Sequence, residues 1–168
     1  KGLDYSRYKG ATLLTPNRRE LAQASGGSTD DDASVVAAGR RIIEQCGVTA
    51  VLATRSEQGM TLIDADDTRH LAARAKEVFD VSGAGDTVVA AMAAGLAAGA
   101  SLELAARLAN TAAGIVVGKA GTAVAHASEI LAALHEEAFL SGEEKVTTPF
   151  MAASRVTAWR DQGLRVGF

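Results

Sequence analysis

"DVSGAGDTVVAAMAAG", residues 80–95, places three small residues, Gly83, Ala84 and Gly85, and one acid, Asp86, ahead of a run with almost no polar face. A helix that begins at Gly83 leaves its first N–H groups without intrahelical acceptors. Glycine lets an anion approach the backbone there, and the helix dipole adds partial positive charge at the same point. The turn therefore reads as an anion hole for charge that develops on a transferring phosphoryl group, a setting in which one donor is worth about 3 kcal/mol. Asp86 has two readings: a general base that takes a proton from the attacking hydroxyl, contributing roughly 10²- to 10⁴-fold, or an acid that only complements the helix N-terminus. No third glycine stands at the dinucleotide position, and no Gly-Lys-Ser/Thr follows, so neither of the two common phosphate motifs is present.

Upstream of this turn, "GATLLTPN" reads as a short buried strand broken at Thr15-Pro16-Asn17, and "NRRELAQASG" as a helical turn ended by Gly26-Gly27. "DDDASVVAAGRRIIEQCG" has acids at its start, apolar residues near helical spacing and Gly47 at its end, the pattern of a capped amphipathic helix. "VTAVLAT" is a β-branched run of the kind found in parallel strands buried on both faces. "GMTLIDADDTRHLAARA" contains two short strand candidates around Asp64 to Thr68, hence a hairpin. Downstream, helices are expected over Gly83–Ala98, Leu102–Val117 and Ala127–Ala138. This order predicts a layered α/β domain with a largely parallel sheet.

With 168 residues, 48% hydrophobic and 22% charged, the chain can bury one real core. Aromatics make up only 4%, which favours close backbone approach filled by Val, Leu, Ile and Ala. A net charge of −3 without a basic stripe argues against nucleic acid as a partner. Apolar runs fall short of the roughly 18 residues a membrane span needs, and no signal peptide is seen, so no membrane and a cytoplasmic location are expected. Cys46 reads as a small buried hydrophobe, and His70, His126 and His135 lack ligand spacing and read as solvated. Asp30 to Asp32 read as serving a helix N-terminus, and Glu143 and Glu144 as part of a solvated linker.

The stretch from Asp80 to Ala123 resembles the signature region of the ribokinase-like (PfkB) sugar kinases, whose D-T-x-G-A-G-D pattern is specific. The resemblance implies a three-layer α/β/α fold, Asp86 as catalytic base and Gly83, Ala84 and Gly85 as anion hole. "TPNRRE" is similar to the family's N-x-x-E element, which implies that Asn17 and Glu20 organise Mg²⁺ through water and that Asn17, Arg18, Arg19 and Glu20 attend the phosphates of ATP. Thr54, Ser56 and Gly59 match the family's T-x-G-x-x-G, with Ser56 in place of a glycine, and Asn110 matches a position near the adenine. Read alone, Thr54 simply ends a strand and Asn110 is an ordinary polar helix position. Asp80, Ser82 and the backbone near Lys119 to Gly121 fall where related kinases hold a monovalent cation, which implies K⁺.

"RYKGATLLTPN", "TRSEQGMTL" and "NTAAGIVVGKAGTA" together resemble the heptose 7-phosphate kinase branch, often fused to a cytidylyltransferase. On that reading the substrates are ATP and D-glycero-β-D-manno-heptose 7-phosphate, and the product is the 1,7-bisphosphate, a precursor of lipopolysaccharide core. Residues 1–138 are expected to be the C-terminal part of a kinase domain truncated at its N-terminal side. Residues 139–149 are expected to form a linker, and 150–168 a helix and first strand leading into a nucleotidyltransferase domain. The sugar-binding half is expected upstream, the isolated segment to turn over weakly or not at all, and the full-length protein to be a homodimer. The alternatives are another sugar or nucleoside kinase of the family, or a noncatalytic nucleotide-binding or dimerisation module.

Overall fold

The computed structural model describes residues 4–75, 78–121 and 123–141, with Thr157 and Arg160 the described positions beyond them. It divides into two compact units, residues 1–125 and 126–168. The first unit carries strands β1 (Leu13–Leu14), β2 (Ala50–Thr54), β3 (Met60–Asp64) and β4 (Thr68–Leu71) and helices α1 (Arg18–Ser25), α2 (Asp32–Cys46), α3 (Ala84–Ala97) and α4 (Leu102–Val117). In the second, α5 spans Ala127–Ser141, so the helix runs on past Ala138 into what the sequence assigns to a linker. The remainder of that linker, and the helix and strand expected over 150–168 apart from Thr157 and Arg160, lie outside the described residues.

Helix ends follow the caps written in the sequence. Asn17 accepts the Glu20 N–H at α1 while Glu20 accepts the Asn17 N–H, and Asp31 and Ser34 make the same reciprocal pair at α2. The helices stop at Gly26 and Gly47, both left-handed. The segment read as one helical turn after Pro16 is thus a complete helix, because a capping box satisfies its first donors. Ser101 caps α4 by accepting the Leu104 N–H at 3.2 Å.

The sheet has the order β1-β2-β3-β4 and is mixed. Its parallel part is β1–β2, continued by a bridge between Asn17 and Thr54, while β2–β3 and β3–β4 are antiparallel. Connection length decides this: α1 and α2 provide the crossover between β1 and β2, whereas the short turn from Arg55 to Gly59 permits only reversal. The expected hairpin forms at Asp64, whose Oδ1 accepts the N–H groups of Asp66 and Asp67 at 3.0 and 2.7 Å.

β2 is buried along nearly its whole length, and its side chains alternate between two cores. Val51 and Ala53 join Leu14, Leu21, Val35, Ile42 and Ile63 beneath α1 and α2. Ala50 and Leu52 join Leu62, Val88, Met92 and Ala109 beneath α3 and α4. Helices therefore cover both faces of the sheet, the three-layer arrangement expected, and each fully buried Leu or Ile contributes about 1.5–3 kcal/mol. Cys46 is buried at the end of α2, where loss of solvation pushes its thiol up from the usual value.

Burial accounts for one stripe of the apolar helix α3 and not for its outer face. Val88, Met92 and Gly95 are buried against the core, while Val89 on the outer side is 47% exposed and Ala90, Ala93 and Ala97 are exposed beside it.

Candidate active site

A cavity of about 490 Å³ opens beside the sheet, within the range of small-molecule sites. It is walled by Thr54 at the end of β2, Ser56 and Gly59 of the turn that follows, Asn110, Ala113 and Gly114 of α4, and Ala84 and Gly85 of α3. Three groups of residues selected from separate motifs thus meet at one hollow.

The tip of α3 is built from backbone. Gly83 adopts φ 79° as N-cap, a left-handed conformation that a β-carbon disfavours, and no side chain caps the helix. Ala84 N–H donates to Val81 O at 3.2 Å and Thr87 N–H to Gly83 O at 2.9 Å. The N–H groups of Gly85 and Asp86, between them, have no acceptor among the described residues. Two donors and the positive end of the α3 dipole therefore remain for an anion. Asp86 occupies the first turn, exposed, on the solvent side of a tip whose inner residues line the cavity. A hydroxyl brought from solvent to a phosphate at this tip would meet the carboxylate.

The model of the pfkB family carbohydrate kinases matches residues 4–129. The chain belongs to that family. Across its whole length it is 58% identical to the bifunctional protein HldE of Paramagnetospirillum magneticum and 56% identical to that of Rhodospirillum rubrum. It spans 35% and 34% of the length of these two curated relatives. Among solved structures, ribokinase of Arabidopsis thaliana complexed with ribose and ATP superposes with TM-score 0.67 at 28% identity, covering 73% of this chain and 40% of that one. Phosphofructokinase-2 of Escherichia coli in complex with potassium shares the fold, with TM-score 0.70 at 23% identity over 76% of this chain and 41% of that one.

In this pfkB family chain the turn after β2 is held in an unusual backbone shape. Ser56 has φ 53°, the positive value at a non-glycine residue among those described, which costs on the order of 1 kcal/mol or more. Gly59 has φ 83°, and a β-carbon there would sit 2.0 Å from Leu71 O and 2.5 Å from Ala73 N. Only glycine lets the turn touch the chain leaving β4. The turn closes through Arg55 N–H to Gly59 O at 2.8 Å and Gly59 N–H to Ser56 O at 3.0 Å. Asn110 is buried and its Nδ2 donates to Ala72 O at 2.8 Å, so this asparagine fastens α4 to the same chain.

Arg55 was not anticipated. It is 5% exposed, and its guanidinium donates to Thr61 Oγ1 at 3.1 Å, to Gln58 Oε1 at 2.9 Å and to Asp32 Oδ1, while Nε has no partner among the described residues. Thr61 in turn lies 3.0 Å from His70 Nδ1. The sequence signal is a cation set one residue after the apolar run Ala50–Ala53, behind Thr54. The apolar wall of the cavity was also missed: Met60, Val78, Val81, Val88 and Val117 read as core or as loop until the fold brings them round one space.

The remaining candidates lie apart from the cavity. Asn17 Oδ1 accepts the Glu20 N–H at 2.8 Å and Glu20 Oε2 the Asn17 N–H at 2.9 Å, a reciprocal cap. Among the described residues no three His, Cys, Asp or Glu side chains group to hold a metal ion. The Asn17 and Glu20 side chains offer one amide oxygen and one carboxylate, both engaged in this cap, a donor set that suits the waters of a hydrated divalent ion better than direct ligation. Arg18 donates to Thr29 O at 2.9 Å and Asp30 O at 3.1 Å and reaches Gln58 Oε1 at 3.4 Å, while Arg19 is exposed. Asp80 and Ser82 are brought together: Asp80 Oδ1 accepts the Ser82 N–H at 2.8 Å, which holds the Asp80 carboxyl below the usual range. His70, His126 and His135 are all exposed. No helix among the described residues is long and apolar enough to cross a membrane.

Proposed function

We propose that this chain carries the ATP side and the catalytic base of a sugar kinase that phosphorylates the anomeric hydroxyl of D-glycero-β-D-manno-heptose 7-phosphate. The observation that carries the reading is the cavity lined both by Thr54, Ser56 and Gly59 and by Ala84 and Gly85 at the tip of α3, where two N–H groups have no acceptor among the described residues. Its apolar wall of Met60, Val88, Ala113 and Val117 suits a flat base, and the tip of α3 suits a phosphate. Asn110, Thr54, Ser56 and Gly59 would line the nucleoside, and Gly83, Ala84 and Gly85 would receive the γ-phosphate. Gly85 and Asp86 N–H groups would take up charge on the phosphoryl oxygens as it grows.

Asp86 would accept the proton of the attacking hydroxyl from the solvent side, so that nucleotide and sugar meet across the helix tip. Phosphoryl transfer of this kind is governed by alignment and charge neutralisation. Mg²⁺, when bound, would neutralise the β- and γ-phosphates. Asn17 and Glu20 would orient its waters, while Arg18 and Arg19 stand beside them in the same segment. Asp80 and Ser82, with the backbone of Lys119 to Gly121, would be the seat of a potassium ion. The heptose reading draws on the 58% and 56% identities to bifunctional HldE proteins.

The test is product analysis of the complete protein with ATP and a panel of free and phosphorylated sugars. Heptose 7-phosphate is expected to give a 1,7-bisphosphate and ADP. Preference for an unphosphorylated hexose or for ribose would overturn the heptose assignment while leaving the kinase chemistry intact.

A further inference from the structure

Thr54 and Ser56 both face the cavity, yet the residue between them serves a network outside it. Arg55 joins three elements: the first turn of α2 through Asp32, its own turn through Gln58, and β3 through Thr61. Gln58 Oε1 also receives Arg18, whose other donors hold the carbonyls of Thr29 and Asp30. The turn that walls the cavity is thus tied to the loop before α2 and to the start of α1.

Burial of a guanidinium is unfavourable unless its donors are met, and here Nε is not met among the described residues. Ser56 adds a second unfavourable feature, a positive φ that serine does not prefer. Both lie in one turn, and strain of this kind persists where surrounding contacts over-determine the backbone. We propose that Arg55 is a positioning residue for the nucleotide: by gripping Asp32, Gln58 and Thr61 it holds Ser56 left-handed and so sets the wall against which the nucleoside lies. The planar fork matters, because a lysine ammonium cannot span acceptors on three elements at fixed angles. This inference rests on the nucleotide reading of the cavity. The competing account makes Arg55 a staple between α2 and the sheet, with no selective bearing on ligand.

The two accounts separate in the complete protein through the affinity for ATP with Mg²⁺, read by calorimetry, and the KM for each substrate. Removal of a hydrogen-bonded charged group predicts that Arg55→Met weakens ATP binding about tenfold or more, with kcat and the sugar KM within about threefold. Ser56→Gly added to Arg55→Met is expected to bring ATP affinity back towards that of Ser56→Gly alone, since glycine takes positive φ unaided. Gln58→Ala, at an exposed position, tests the same grip without threatening the core, and is expected to weaken ATP about threefold.

Arg55→Met with unchanged ATP affinity, a parallel rise in both KM values, or a double variant no better than Arg55→Met would overturn the proposal. If Arg55→Met does not fold, Gln58→Ala with unaltered ATP affinity does so. A wild-type protein that binds ATP but phosphorylates no sugar strikes at the proposed reaction alone, and the calorimetric comparison still decides the role of Arg55.

Discussion

The turn from Thr54 to Gly59 and the tip of α3 both wall one cavity, and they are built in opposite ways. At the turn, side chains and close packing leave little freedom: a buried guanidinium grips three elements, and Gly59 lies against the backbone of Leu71 to Ala73. At the tip, no side chain caps the helix, two N–H groups have no acceptor among the described residues, and Gly85 and Asp86 are exposed. The turn is finished before a ligand arrives. The tip holds donors in reserve. That division suits a site where the unreactive part of a nucleotide must be located and the reactive phosphate must be met by groups not already engaged.

The contrast can be broken most severely at the turn. Gly59→Ala forces a β-carbon into Leu71 O and Ala73 N at a positive φ, so a loss of about 3 kcal/mol or more is expected by denaturant unfolding. Unaltered stability would mean that the turn is not held by this contact. At the tip the effect should fall on rate. Asp86→Asn is expected to lower kcat about a hundredfold or more while ATP affinity stays within about twofold, because the amide keeps the shape and cannot take a proton. Retained turnover would return Asp86 to the role of helix-end acid. The smallest change sharpens the comparison: Gly83→Ala, which puts a β-carbon on a residue at φ 79°, should cost about 1–2 kcal/mol in stability. A loss as large as that at Gly59 would show the tip to be as constrained as the turn.

Much of this arrangement was legible because it is local. Asp30 to Asp32 announce the start of α2, Gly26 and Gly47 announce helix ends, and Gly83 to Asp86 announces an uncapped tip, whereas the caps that Asn17 with Glu20 and Ser101 make were not read as such. What escaped depends on residues distant along the chain. Arg55 gains its meaning from Asp32 and Thr61, which only sheet register and the α2 crossover bring to it. Val78, Val81 and Val117 become a wall only when the chain after β4 passes alongside α4. The reversal between β2 and β3 was within reach, since the five residues from Arg55 to Gly59 are too few for a crossover, but the β-branched run of β2 reads equally as a parallel strand. The second core also hid the reason for the apolar character of α3, one stripe of which packs against α4 and the sheet while Val89 and its neighbouring alanines remain exposed.

The central claim is that the spare donors at the tip of α3 receive the transferring phosphate. Its most direct test is a crystal structure of the complete protein with Mg²⁺ and a non-hydrolysable ATP analogue. The account predicts the γ-phosphate oxygens within about 2.7–3.1 Å of the Gly85 and Asp86 nitrogens, with the Asp86 carboxylate on the solvent side of the phosphorus. A γ-phosphate seated away from that tip, with both amides bonded to water, would contradict it.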